Sequence, residues 1–153
     1  MTSLLQSRFP LALNKFRILL LDGQDNTDAP LVARLGVGPI DAAPPYVALS
    51  YTWGDPTHTQ SIEIYGLGKV GIGENLGNAL RRMRPPRGHG TYYWVDALCI
   101  DQESQEEKNA QIPLMRQIYR GAMKTYIWLG APLPLDRAIA TEALTLLFAI
   151  GEL

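Results

Sequence analysis

The sequence predicts one α/β domain, a parallel or mixed sheet covered by helices, and three observations carry that expectation. From Tyr46 onward, short apolar runs of strand length alternate with longer stretches whose apolar residues recur at helical spacing. The 153 residues are 46% hydrophobic and 19% charged, the balance of a chain that buries a core rather than one that stays disordered. No repeat, low-complexity tract or linker interrupts the pattern, so a single domain burying about two thirds of its unfolded surface is expected.

The elements follow in order. Phe16 to Leu21 (FRILLL) is an apolar run closed by Asp22-Gly23, which suits a strand ending in a turn, and Leu31 to Leu35 is a second strand. Asp41 to Pro45 is a connector, because its prolines remove donors and extend the residues before them. Tyr46 to Tyr51 (YVALSY) has the apolar continuity of a buried central strand. In Ser61 to Ile72, Ile62 and Ile64 alternate before a Gly-rich turn and Val70 and Ile72 after it, as in a β-hairpin. Asn75 is placed to cap a helix carrying Leu76, Ala79, Leu80 and Met83 on one face, stopped by Pro85-Pro86. Tyr92 to Asp96 is another strand. Ser104 opens a helix whose apolar face is Ile112, Met115, Ile118, Tyr119 and Ala122. Pro113 kinks or divides it, and Gly121 ends it. Thr125 to Leu129 is a last strand, and a helix follows from Leu135.

Charge and cysteine content narrow the function. With 14 Lys plus Arg against 15 Asp plus Glu, the net charge of -1 gives no overall field toward nucleic acid or anionic lipid. Arg81, Arg82, Arg84 and Arg87 form a local cluster, open to two readings: a solvated helix end favoured by the dipole, or a binding face. The single cysteine, Cys99, forms no internal disulfide, and the N-terminus lacks the layout of a signal peptide, so a cytoplasmic protein is expected. The apolar stretch 138–150 contains Glu142 and falls short of the ~20 residues that span a bilayer, so no transmembrane segment is expected.

Several motifs invite chemistry. Gly66 to Gly71 (GLGKVG) fits G-x-G-x-x-G, yet Val70 and Ile72 carry a strand pattern past the third glycine, where a dinucleotide loop would begin its helix; a hairpin turn is the competing reading. One cysteine with His58 and His89 in turns makes no four-ligand N/S metal cage, so no metal is expected. Cys99 is either a nucleophile or a small buried hydrophobe.

The densest polar and aromatic groups lie where two strands end, at Tyr51-Thr52-Trp53-Gly54-Asp55 and at Asp96 to Gln102. Ligands of parallel α/β sheets sit outside the carboxyl ends of strands, so both segments are expected to face one crevice, unless Trp53 only plugs the core edge and Asp55 only makes a turn. Ser104 to Glu107 fits the capping box S-x-x-E, which by itself accounts for Glu107; a glutamate near a crevice also stabilises a cationic transition state at a glycosidic carbon.

These segments resemble the HET domain of fungal heterokaryon-incompatibility proteins. The blocks stand in family order: YVALSYTWGDP (46–56), ENLGNALRRMR (74–84), YYWVDALCIDQ (92–102), EEKNAQIPLMRQIYRGA (106–122) and YIWLG (126–130). On this resemblance 1–153 is a single HET domain, with strands in 1–45 leading in, the blocks in 46–130 and a helix in 131–153. HET domains usually head longer proteins, so the chain is expected to be a short member or an excised domain. The family's marked positions fall on Ser50, Tyr51, Trp53, Gly54, Asn75, Leu76, Trp94, Asp96, Cys99, Ile100, Gln102, Glu107, Gln111, Met115, Ile118 and Tyr119. Asp101 stands where the family commonly has Asn, which sets an extra negative charge beside the expected crevice.

The resemblance implies an effector of programmed cell death in non-self recognition, acting through self-association and with other incompatibility or immune-receptor proteins. HET domains are thought remotely similar to TIR domains, which implies a flavodoxin-like, mostly parallel sheet with an added N-terminal hairpin. Some TIR domains hydrolyse NAD at the nicotinamide bond with a glutamate. Carried here, NAD is a substrate rather than a cofactor. Ser50, Tyr51, Trp53, Gly54, Asp55, Asn75, Cys99 and Gln102 would line its site, Glu107 would be the first catalytic candidate with Asp96 in support, and Glu142 the second. The rival expectation is a non-catalytic interaction module.

Overall fold

A computed structural model describes residues 3–55 and 57–130. Seven strands form one sheet: β1 (Lys15–Asp22), β2 (Leu31–Pro39), β3 (Val47–Tyr51), β4 (Gln60–Ile64), β5 (Gly68–Ile72), β6 (Gly90–Trp94) and β7 (Lys124–Trp128), in the order β5-β4-β2-β1-β6-β3-β7. Among the described residues five short helices accompany them: α1 (Leu4–Arg8), α2 (Glu74–Met83), α3 (Asp96–Cys99), α4 (Gln105–Gln111) and α5 (Met115–Gly121). The predicted helix from Leu135, with Glu142, lies outside the described residues.

The sheet is mixed. β6, β3 and β7 run parallel, as do β2 and β4, while β1 is antiparallel to both β2 and β6, and β4 to β5. The sheet is thus one of the two kinds expected from the alternation of elements, and its pairings divide evenly between parallel and antiparallel, with the parallel ones at β6-β3-β7 and β2-β4. The N-terminal hairpin is not an appendage, because β1 is the middle strand. Its near-continuous apolar run needs cover on both faces, and Phe16, Ile18, Leu19 and Leu21 are all buried there. Trp94, Leu49, Leu76 and Leu80 complete the core around it.

Most predicted elements form within a residue or two of their expected ends. The β4-β5 hairpin pairs Ile62 with Val70 across a turn in which Gly66 and Gly68 have φ of 84° and 80°, backbone open mainly to glycine. GLGKVG is thus turn and strand, and α2 starts only after Gly73. Pro113 divides the predicted long helix into α4, a 3-10 turn (Ile112–Leu114) and α5. The division turns Ile112 out of the expected apolar face, leaving it 55% exposed, while Ile118 stays buried.

Gly23, just after β1, shows how closely the 85–89 loop meets the sheet. A Cβ built there would lie 1.9 Å from the Pro86 carbonyl oxygen and 2.6 Å from that of His89, both backbone atoms. Gly23→Ala is expected to cost about 2–3 kcal/mol, read as a lower urea midpoint. Among the described residues no helix is long and apolar enough to cross a membrane.

Candidate functional site

The parallel strands β3 and β6 end side by side, and the chain leaving each carries the groups singled out from sequence. After β3, Trp53 reaches across to donate its indole N–H to the Asp96 carboxylate, the first residue of α3, at 3.1 Å. Asp96 also accepts the Ala97 backbone N–H at 2.7 Å, and the Gln102 amide donates to the Asp96 carbonyl at 3.0 Å. Asp55 accepts from the backbone and hydroxyl of Thr57, closing an Asx turn, and these bonds hold its carboxyl below the usual aspartate range. Gly54 takes φ of 69° to make the corner.

The resulting crevice has a volume of about 200 Å³, with Tyr51, Trp53, Gly54, Asp55, Ala97 and Gln102 in its lining. A neighbouring hollow of about 340 Å³ shares Trp53 and Asp55 and adds Glu74, Asn75 and Asn78. Trp53, 49% exposed, stands at the boundary of the two, so it does not plug the core edge.

Electrostatics set this cluster apart. Burial raises the Asp96 carboxyl above the ordinary aspartate value, opposed by its hydrogen bonds to Ala97 and Trp53. The Tyr51 hydroxyl is pushed well above the usual tyrosine range, first by burial, then by the negative Asp96 and by Tyr119. Tyr119 rises for the same two leading reasons, burial and Asp96, offset by a hydrogen bond with Ser50. In the sequence Tyr119 reads as part of an apolar helix face and as one of the family's marked positions, not as a group beside the crevice. Its ring packs edge-on against Trp94 at 5.3 Å, and its hydroxyl donates to the Leu49 carbonyl in the middle of β3 at 3.4 Å.

Asn75 is not the helix cap. Gly73 occupies that position and Asn75 lies in the first turn. Its side chain donates to the Thr52 carbonyl at 2.6 Å and accepts from the Trp128 indole at 2.7 Å, tying the loop after β3 to the end of β7.

Glu107 does not line the crevice. It is buried in a two-pronged ion pair with Arg17, which itself has no exposed surface, and it accepts the Asp101 backbone N–H at 2.7 Å. Half of the predicted capping box forms: Ser104 accepts the Glu107 N–H at 3.2 Å, but the Glu107 carboxylate turns to Arg17. The signal missed in the sequence was Arg17 itself, one cation within FRILLL, which requires an anionic partner wherever that strand is buried. Asp101 likewise does not charge the crevice. It is buried and accepts from the Ser3 hydroxyl and the Glu103 N–H, fastening α1 to the turn before α4.

Cys99 is also outside the crevice, fully buried, with its thiol pushed up to about 12 by loss of hydration. Iodoacetamide at mildly alkaline pH is expected to leave the native thiol unlabelled and to modify it once urea unfolds the chain. Among the described residues no three His, Cys, Asp or Glu side chains gather closely enough to hold a metal ion.

The fold and site define a mixed α/β domain with a small polar and aromatic crevice where two parallel strands end, and a partly buried aspartate, Asp96, stands just behind its lining, hydrogen-bonded to Trp53. The profile of the heterokaryon incompatibility protein (HET) family matches residues 46–145, and the chain belongs to that family. Heterokaryon incompatibility protein 6, OR allele, of Neurospora crassa is 36% identical over 103 residues, covering 60% of this chain and 15% of that protein. Vegetative incompatibility protein HET-E-1 of Podospora anserina is 32% identical over 95 residues, covering 60% of this chain and 7% of that protein. The chain thus spans at most about a seventh of the length of these relatives. No solved structure matches the chain.

Proposed function

We propose that this domain is the effector part of a fungal incompatibility system, triggering cell death on non-self recognition by cleaving NAD at its nicotinamide glycosidic bond. The observation that carries the reading is the Trp53–Asp96 hydrogen bond at 3.1 Å, which sets a partly desolvated carboxylate and an indole side by side where two parallel strands end. Nicotinamide leaves NAD as a neutral base and water adds to the ribose carbon, releasing a proton to solvent, so the chemistry calls for negative charge near the carbon that becomes cationic in between. A fixed, partly buried carboxylate supplies it. Asp96 takes that role, Trp53 and Tyr51 offer aromatic surface to the ring, and Gln102 and Asn75 hold the two loops. Glu107 acts from outside the crevice, anchoring the Asp101 turn to β1.

The test is nicotinamide release from NAD by the purified domain at high protein concentration, free and clustered on a multivalent scaffold. Release that rises with clustering supports the reading; NAD left intact in both states refutes it. A second reading, a non-catalytic module acting through self-association or with other incompatibility proteins, is favoured by β7. Among the described residues it is one of the two edge strands, and around it Tyr126, Ile127 and Leu129 are 44%, 70% and 91% exposed. Under that reading, substitutions at Ile127 would abolish killing while Asp96→Asn would leave it intact.

A further inference from the structure

The arginine cluster resolves into one converging set. Arg81 and Arg82 in the last turn of α2 and Arg84 at its C-cap line a hollow of about 550 Å³, together with Asn78, Asp25 and Trp128. Arg87 does not belong to that lining. Among the described residues Asp25 is the one carboxylate in that lining, against three arginines, and it accepts the Arg87 backbone N–H at 3.0 Å. Among the described residues the ion pairs are Arg17–Glu107 and Arg34–Asp22, and none of the three arginines has a carboxylate partner.

Their hydrogen bonds leave donors over. Arg84 donates to the carbonyls of Asn26 at 3.2 Å and Ala29 at 2.8 Å, yet its buried Nε has no partner among the described residues. Arg81 gives one nitrogen to Gln60 and Gly77. Arg82 is exposed and makes no hydrogen bond among the described residues. Burial, and then the neighbouring Arg81 charge, pull the Arg84 guanidinium below its ordinary value, the direction expected where cations gather without a counter-charge. The helix dipole favours cations at this end, but a dipole equivalent to about half a charge does not balance three guanidiniums gathered on one concavity.

We propose that this hollow binds the phosphates of a small nucleotide-class ligand whose planar ring lies against Trp128. Guanidinium forks match phosphate oxygens in pairs, and an indole in the same lining offers the flat apolar surface that a heterocyclic base stacks on. The arginines of this site lie at the C-terminal end of α2, while Trp128 is tied to Asn75 in the first turn and Asn78 also lines the hollow beside the crevice; phosphate binding here does not depend on the cleavage proposed for Asp96.

The test is calorimetric titration of the whole chain with ADP, adenosine and pyrophosphate at low salt. Saturable ADP binding, tighter than either fragment, is expected. Arg82→Gln should weaken it at least ~10-fold, with the fold intact because Arg82 makes no hydrogen bond among the described residues. Arg87→Gln, outside the hollow, should leave it unchanged. Absence of saturable ADP binding, an equal loss in Arg87→Gln, or pyrophosphate or adenosine binding as tightly as ADP would each overturn the proposal.

Discussion

Replacing Arg17 by Met is expected to destabilise the domain by about 3–5 kcal/mol, which approaches the whole stability of a domain this size. Arg17 lies on β1, the central strand, with no exposed surface, and its guanidinium serves three parties. It pairs with both oxygens of Glu107, donates to the Cys99 carbonyl at 3.1 Å, and donates through Nε to the Phe9 carbonyl at 2.8 Å. Removing it leaves a carboxylate without a counter-ion in a place water does not reach, along with two carbonyls short of a donor. That unpaired charge is the larger loss, because a buried pair is costly to break even where it adds little net stability. Glu107→Gln belongs to the same class, since it strands the Arg17 cation. Arg17→Met combined with Glu107→Leu should recover part of the loss by removing both charges together. Urea midpoints of the single and double variants decide the matter, and a single-variant loss below about 1 kcal/mol would mean the pair is hydrated rather than buried. Loss of activity in Glu107→Gln therefore does not identify a catalytic group, because loss of fold produces the same result.

The strands were legible because their signals are local. FRILLL, YVALSY and the Ile62/Ile64 and Val70/Ile72 alternation each report burial of one or both faces without reference to the rest of the chain. Sheet order is a different kind of information. Nothing local in β1 says that it lies antiparallel between β2 and β6, and only the lack of alternation in its run hints that it is central. The crevice was legible in its residues through the clustering of Trp53, Asp55 and Asp96 after two strands, and the Trp53–Asp96 bond joins those two segments. What the sequence concealed was the direction of individual side chains. Glu107 and Asp101 lie in the segment that follows Asp96, yet both carboxylates turn inward, one to Arg17 and one to Ser3. Their partners are 90 and 98 residues away along the chain, beyond the reach of any periodicity. Asn75 was misjudged for a related reason, since its side chain is claimed by Trp128, 53 positions on, rather than by its own helix.

If Asp96 supplies the negative charge for glycosidic cleavage, Asp96→Asn should lower kcat for nicotinamide release by about 10²–10³-fold, the scale seen when one preorganised electrostatic group is removed from a site. The fold should survive, because the amide oxygen that this substitution leaves in place can keep the Ala97 N–H bond while the Trp53 bond on the crevice side is lost. The pH profile supplies a second, independent reading. Burial raises the Asp96 carboxyl, so the active carboxylate should be lost as pH falls, at a pH above that of an ordinary aspartate. The sign for stability is opposite. A group whose folded-state value is raised favours the folded protein at low pH, and that contribution fades as pH rises through the raised value. Activity should therefore decline on acidification while Asp96 itself works against acid unfolding, which separates titration of the site from collapse of the domain. Measuring kcat/KM and the urea midpoint across the same acidic range tests both signs together. Full turnover in Asp96→Asn, or an activity loss that only tracks unfolding, would remove Asp96 from the reaction and leave the exposed surface around β7 as the part of the domain that acts.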